Sequence, residues 1–423
     1  MNLHRFAREI GPISTGLPPL ESLSPAFRLL LACARHPLTA KDLAHLRACL
    51  ALNIDWTDFL DLVERHRVHP QVLASLNIVA SSSLPVFVRE ALTERVRHQT
   101  RHTFGMLKDL VTLVPALEAA GIPVFVLKGP PLSQLLFQDL AFRYSKDLDL
   151  LIPPSHFAQA LALLEGMGCV RTMPKGPMSA RQFRRVCAVS NHLVLETASG
   201  TMLELHLHAD HEFGLPEFLY DVMRVPAYVS LGNVPIPMPP MDSLLTYLCI
   251  HGCRHHWSRL KWLCDIQVLL THSGDMDWEI WIQNVRSLRL ERIVAETLAM
   301  VTHFLEAPLP RPLVDFVCEI HMPRRFLGIT LREFITRGEV SANGTTSYLQ
   351  LLRTQWHRWQ GRSGIGLMGN FVREIMIGVD AIMVVDLPVI FAPIYAPLRL
   401  YLWMRLRRQR FLERKASGCL FKQ

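Results

Sequence analysis

The spacing of the apolar residues changes near Ile122 and changes back after residue 210, and this constrains the fold most. Before Ile122, apolar residues such as Trp56, Phe59 and Val63 recur at three- and four-residue steps, which is typical of an amphipathic helix. The helical spacing returns from Met241 onward. Between these regions, short apolar runs alternate with turn residues. This pattern predicts a compact α/β unit between helical flanks.

Four runs inside this unit predict strands, at residues 122–127, 147–152, 192–197 and 202–208. The last two flank Ala198-Ser199-Gly200, and a short turn of this composition between two strands predicts a hairpin. Helices are predicted over residues 86–120, 132–140 and 157–167. The expected fold class is therefore α/β, with a small mixed sheet between helical N- and C-terminal regions.

We expect four regions along the chain. They are an N-terminal helical region (1–120), the α/β core (121–210), a helical region lining a cleft (211–335) and a C-terminal helical region with a basic tail (336–423). The apolar stretch 376–404 contains acidic residues and prolines, so it lacks the run of about 20 apolar residues that a spanning helix needs. We therefore expect no integral membrane insertion. The basic run at 405–410 leaves weak peripheral contact with an anionic membrane open.

The charge and the cysteines bear on partners and compartment. A net charge of +8 favours an anionic partner, such as a nucleotide, a nucleic acid or a membrane surface, but it also fits an ordinary basic protein. The nine cysteines show no paired spacing, and the first residues lack the apolar run of a secretory signal. A reducing cytoplasm is the expected location.

Asp147 and Asp149 are the strongest candidates for chemistry. On a strand, alternate side chains leave the same face, about 6.6 Å apart along the chain. The two carboxylates should therefore share an exposed face, while Leu148 and Leu150 pack inward. Like charges on one face need compensation, and hard carboxylate oxygens suit Mg²⁺. Two ions about 3.5–4 Å apart are within reach of such a pair. Two aspartates at this spacing, taken alone, are also common on strands that face solvent.

The surroundings strengthen this interpretation. Glu204 shares its strand face with His206 and His208, so it is the candidate third metal ligand or general base. Gly129 allows backbone N–H groups to approach a phosphate closely. Cations and a hydroxyl for a polyphosphate are offered by Lys128, Arg143 and Ser145.

These residues lie in segments that resemble a known family. VFVLKGPPLSQLLFQDLAFRYSKDLDLLIPP (124–154) and LELHLH (203–208) resemble the uncharacterised bacterial nucleotidyltransferase family of the DNA polymerase β-like superfamily. Segments 55–73, 251–270 and 386–400 are similar to its flanks, so the resemblance covers nearly the whole chain. It implies that the glycine motif falls on Gly129 and the metal carboxylates on Asp147, Asp149 and Glu204.

This sequence departs from the superfamily at two points. Pro130 stands where glycine or serine usually follows the glycine, and the gap to Asp147 is longer than usual. Phosphate contact is therefore expected to depend more on Lys128, Arg143 and Ser145.

The resemblance implies metal-dependent transfer of a nucleoside monophosphate from an NTP to an acceptor, with release of pyrophosphate. Two Mg²⁺ ions would be bound, and the acceptor would be a small molecule, a protein or RNA. Two alternatives stay open. One is a non-catalytic nucleotide-binding or protein-interaction module on the same fold, and the other is an RNA-modifying nucleotidyltransferase.

A cluster of cysteines and histidines between residues 249 and 264 invites a zinc interpretation. Its spacing does not match a zinc finger or ribbon, so packing cysteines and partly exposed histidines are the better account. A role for His251, His255 or Trp257 in lining the substrate cleft is implied by the resemblance.

Overall fold

The computed structural model describes residues 16–80, 84–210, 217–274 and 276–337, together with short stretches and single residues elsewhere, of which 379–386 is the longest. The expected basic tail at 405–410 falls almost entirely outside the described residues.

Among the described residues, five α-helices precede the sheet: α1 (Pro25–Ala34), α2 (Ala40–Leu50), α3 (Trp56–His66), α4 (His69–Ala80) and α5 (Val86–Ala119). Their starts follow from side-chain caps. The Asp55 carboxylate accepts hydrogen bonds from the N–H groups of Thr57 and Asp58 at the start of α3. Thr39 and Asp42 cap each other's backbone at the start of α2.

The central sheet has five strands: β1 (Phe125–Val126), β2 (Leu148–Leu151), β3 (Val170–Met173), β4 (His192–Glu196) and β5 (Met202–His206). Their order is β1-β2-β5-β4-β3, with β2 and β5 parallel and every other neighbouring pair antiparallel. Helices α6 (Pro130–Phe137), α7 (Phe157–Gly166) and α8 (Ala180–Val189) lie between the strands in sequence. The mixed α/β fold class is confirmed.

A second, two-stranded sheet follows, formed by β6 (Ala227–Leu231) and β7 (Val234–Met238), and it packs against β1 and α6. Five helices complete the main body: α9 (Met241–Arg254), α10 (Leu260–His272), α11 (Trp278–Ser287), α12 (Glu291–Leu305) and α13 (Arg311–Glu319). Helix α14 (Arg324–Arg332) continues into one π-helical turn, Glu333–Arg337. Buried apolar side chains form one cluster that includes the sheet and the helices on both sides of it.

The described part of the apolar C-terminal stretch includes helix α15 (Val379–Val384), which packs on α8. The hydroxyl of Ser179 donates to Asp386 at 2.6 Å, and the Gln182 amide donates to the carbonyl of Ile382 at 3.0 Å. The Asp386 carboxylate therefore has a hydrogen-bond partner within the protein. Among the described residues, no helix combines the length and apolar character needed to cross a membrane.

Candidate functional site

The site forms where β2 and β5 run side by side. In the parallel register of these strands Asp149 lies opposite Glu204. Residues paired across neighbouring strands project from the same face, so the two carboxylates meet on one side of the sheet. On the other side, Leu148, Leu150 and Leu205 are fully buried. The expected alternation of carboxylates and apolar residues is thus present.

Asp149 is held by two cations. Its Oδ1 lies 3.0 Å from Nζ of Lys128 and 3.1 Å from Nε2 of His206. His206 also lies 3.3 Å from Oε2 of Glu204, so one imidazole joins the two carboxylates. The second oxygen of Asp149, Oδ2, is buried and has no hydrogen-bond partner among the described residues. It is a carboxylate oxygen available to a further ligand.

The same contacts set the ionisation of the site. Burial alone would raise the pKa of Asp149, but Lys128 and His206 hold it below its ordinary value. Burial also opposes ionisation of Glu204, yet its hydrogen bond with His206 contributes to lowering the pKa to about 2. Burial would lower the pKa of His206, and the two carboxylates raise it. The favoured state is a positive imidazole between two ionised acids.

The structure corrects the expected exposure of the aspartates. Asp149 is only 1% exposed, because the helical region after the sheet covers this face and brings Tyr247 on α9 near Lys128 and Asp149. Asp147 directly precedes β2 and is partly exposed. Burial and the neighbouring Asp149 raise the pKa of Asp147. The two acids therefore differ. The charge of buried Asp149 is compensated by Lys128 and His206, whereas the charge of Asp147, just before β2, is disfavoured by burial and by Asp149.

Arg143 and Ser145, expected to contact a polyphosphate, are buried beside α10. Nε of Arg143 donates to Oδ1 of Asp265 at 2.7 Å, and both side chains are almost fully buried. Nη1 of Arg143 donates to the Ser145 hydroxyl at 3.2 Å. These contacts tie the segment before Asp147 to α10 and engage Nε and Nη1 of the guanidinium, whereas Nη2 is buried without a hydrogen-bond partner among the described residues.

Gly129 forms the cap of α6 with a φ of 86°, a backbone conformation that favours glycine. The next two residues, Pro130 and Pro131, begin the helix and have no N–H groups. The turn therefore offers a phosphate fewer backbone donors than a usual helix start.

His192 is a neighbour of the site that was not among the predicted residues. It pairs with His206 in the β4–β5 register, and its Nε2 lies 3.9 Å from Oε2 of Glu204. One ligand atom each from His192, Glu204 and His206 lie within 4.8 Å of one another, a set able to hold a metal ion. The predicted hairpin centred on Ser199 already implied this pairing, since both histidines stand seven residues from its centre.

The cysteine and histidine cluster does not form a corresponding set among the described residues. Cys249, Cys253 and Cys264 are buried in apolar packing, as expected. His251 and Trp257 are also buried, so His251 is less exposed than predicted. Partly exposed His255 stacks on Trp262 with ring centroids 5.1 Å apart.

Comparison with known proteins identifies one relationship. The family model described as "Uncharacterised nucleotidyltransferase" matches residues 53–306, more than half of the chain. The match includes the whole central sheet and helices α9 to α12. No curated protein and no solved structure matches the chain.

Proposed function

The chain belongs to the uncharacterised nucleotidyltransferase family, and from this we propose that it transfers a nucleoside monophosphate from an NTP to an acceptor nucleophile. The observation that carries the proposal is the register of Asp149 with Glu204, with Asp147 directly before the strand that contains Asp149. Three carboxylates on or next to two adjacent inner strands suit an enzyme that handles phosphates with divalent cations.

Two observations support a divalent metal at these carboxylates. Oδ2 of Asp149 is a buried oxygen without a hydrogen-bond partner among the described residues, and Glu204 stays ionised at neutral pH because its pKa is about 2. We propose Asp147, Asp149 and Glu204 as the ligands, with Mg²⁺ the expected ion and two ions the expected number. When bound, the metal would neutralise phosphate charge and make the acceptor oxygen more nucleophilic.

In the proposed reaction the acceptor oxygen forms a bond to the α-phosphorus, and the bond from that phosphorus to the pyrophosphate oxygen breaks. The acceptor proton passes to a base. Glu204 is the candidate from the sequence, but its low pKa suits a metal ligand better than a base. Lys128 keeps Asp149 ionised and in place. His206 does the same for Asp149 and Glu204 together.

We place this reaction in a reducing compartment, the cytoplasm being the candidate. The support is that no disulfide joins the described cysteines, most of which are buried.

Incubation with each of the four labelled NTPs, Mg²⁺ and a cell extract tests the proposal. We expect one NTP to label an acceptor pool, with one pyrophosphate released per label. Separation into RNA, protein and small molecules then identifies the acceptor class. Asp147→Asn is the control and should abolish labelling. NTP binding without labelling of any pool would instead favour a non-catalytic module.

A further inference from the structure

A group of cations and aromatic rings lies on the Asp147 side of the site. The Arg67 guanidinium lies 5.0 Å from the ring centroid of Tyr144. Nζ of Lys261 lies 5.5 Å from the same ring and 5.9 Å from that of Trp262. The Arg259 guanidinium lies 5.5 Å from the Trp262 ring. Two rings therefore hold three cations, and Asp147 acts electrostatically on each of them. We call Arg67, Arg259 and Lys261 the cation cluster.

Left-handed backbone conformations place two members of this cluster. Arg67 ends α3 with a φ of 57°, where glycine or asparagine would adopt the conformation at lower cost. Arg259 follows His256 and Trp257, which have φ values of 52° and 49°. Strained backbone of this kind is concentrated at functional sites in proteins.

Lys261 is the buried member of the cation cluster, whereas Arg67 and Arg259 are partly exposed. Lys261 is 7% exposed, and its ammonium donates to the Tyr144 carbonyl at 3.2 Å. Among the described residues, neither Lys261 nor Arg67 forms an ion pair with a carboxylate. Burial and neighbouring cations lower the pKa of Lys261, and burial with Arg67 lowers the pKa of Arg259 to about 9. A buried cation without an anionic partner is costly, so the position of Lys261 suits an anionic ligand.

The residues expected to bind phosphate from the sequence are largely occupied. Lys128 is paired with Asp149, and Arg143 with Asp265, which leaves only the buried Nη2 of Arg143 without a partner among the guanidinium nitrogens. The start of α6 loses two backbone donors to Pro130 and Pro131. The cation cluster is therefore the better candidate for phosphate contact beside the carboxylates.

We propose that Arg67, Arg259 and Lys261 bind the triphosphate of the nucleotide substrate, with Tyr144 and Trp262 holding the cations in place beside Asp147. This inference rests on the proposed function and identifies which residues bind the leaving group. A ring face attracts a cation without cancelling its charge, so the N–H groups stay able to donate to phosphate oxygens. The triphosphate would supply negative charge to Arg67 and Lys261.

Direct binding of inorganic tripolyphosphate, measured by calorimetry in EDTA, tests the proposal without metal or turnover. We expect wild type to bind, Arg67→Gln and Lys261→Gln to weaken binding about tenfold each, and both to reduce its salt dependence. Arg286→Gln is the matched control, because Arg286 is an exposed cation paired with Glu319 at 2.7 Å. Its binding should equal that of wild type.

Arg67→Gln decides the test if the buried Lys261→Gln does not fold. The proposal is overturned if wild type does not bind tripolyphosphate, or if folded Arg67→Gln binds it as wild type does. Failure of the proposed function is a separate result: wild type would bind tripolyphosphate in a cluster-dependent manner but label no acceptor. Labelling by an Arg67→Gln protein with an unchanged KM for NTP would contradict the cluster while leaving transfer intact.

Discussion

His206 lies between Asp149 and Glu204, with Nε2 3.1 Å from Oδ1 of Asp149 and 3.3 Å from Oε2 of Glu204. Two acids on neighbouring strands would repel each other, and the imidazole holds both ionised at close range. A metal ion would thus meet carboxylates that are already charged and oriented. The imidazole and Lys128 would account for the stability of the site without the ion.

Glu204→Gln should lower kcat by about 100-fold or more, with a much smaller change in KM for NTP. The variant keeps the shape of the side chain but removes the charge of a proposed metal ligand beside Asp149. In wild type, Mg²⁺ should raise the midpoint of thermal unfolding, since it would bind only the folded site. Glu204→Gln should lose most of that shift. An unchanged kcat would remove Glu204 from the site.

The two aspartates should differ in their effect on stability. Asp149→Asn leaves Lys128 buried without its carboxylate partner and removes one of the two acids that hold His206, so the free energy of unfolding should fall by about 3 kcal/mol or more. Asp147→Asn removes a charge that burial and Asp149 disfavour, and stability should stay within about 1 kcal/mol of wild type. Urea unfolding of the two variants measures this difference. Equal losses would show that Asp147 is as strongly compensated as Asp149.

The Arg143–Asp265 pair allows positioning to be separated from phosphate contact. Asp265→Asn should cost about 3 kcal/mol, because Arg143 is left buried and unpaired. Arg143→Met with Asp265→Leu should recover most of that loss, since the pair is replaced by apolar packing. We expect this double variant to keep a KM for NTP near that of wild type. A tenfold rise in KM would instead support the phosphate contact that the sequence predicts for Arg143.

Much of the sheet could be predicted because its strands are short apolar runs with clear boundaries. The hairpin of β4 and β5 is confirmed, and the strand containing Asp149 begins within one residue of its predicted start. Strand β3 was not predicted, because Val170 and Met173 are exposed at the sheet edge and give no apolar run. The β6–β7 hairpin was also missed, since Pro235 and Pro237 are atypical of strands.

The burial of the site could not be predicted from local pattern. The alternation of side chains places Asp149 and Leu148 on different faces of the sheet. Whether the face that carries Asp149 meets water depends on α9 and α10, about 100 residues later in the chain. The pairing of Arg143 with Asp265 has the same origin, because nothing near Arg143 identifies its partner. The cation cluster combines Arg67 at the end of α3 with Arg259 and Lys261 at the start of α10. Such long-range contacts leave no periodic signal in the sequence.

A buried acid in α12 should make stability depend on pH. Burial raises the pKa of Glu296 to about 8, although the Thr330 hydroxyl donates to it at 2.7 Å. The folded state therefore binds a proton that the unfolded state releases near pH 4.5, so stability falls as pH rises from about 4.5 to 8. Glu296→Gln should flatten this slope, which is about 1.4 kcal/mol per pH unit at most. Urea unfolding of both proteins at pH 6 and pH 8 measures this. If the free energy of unfolding changes by the same amount between the two pH values in wild type and in Glu296→Gln, the raised pKa of Glu296 is contradicted.

Gly252 should be irreplaceable because the Trp257 ring occupies the space of a side chain. A Cβ at Gly252 would lie 2.3 Å from the ring, which is fully buried and follows the end of α9 by three residues. The Trp257 N–H donates to the Gly252 carbonyl at 2.8 Å, so ring and backbone are fixed together. Gly252→Ala must displace the ring and should lower the free energy of unfolding by about 1–3 kcal/mol.

The matched control is Gly105→Ala in the middle of α5, where an added Cβ meets no atom within 4 Å. Alanine favours the helix there by up to about 1 kcal/mol, so this variant should be as stable as wild type or more stable. Because Arg259 follows Trp257 by two residues, Gly252→Ala should also weaken tripolyphosphate binding, whereas Gly105→Ala should not. If Gly252→Ala has the same free energy of unfolding and the same affinity for tripolyphosphate as Gly105→Ala, the turn at Trp257 does not position the cation cluster.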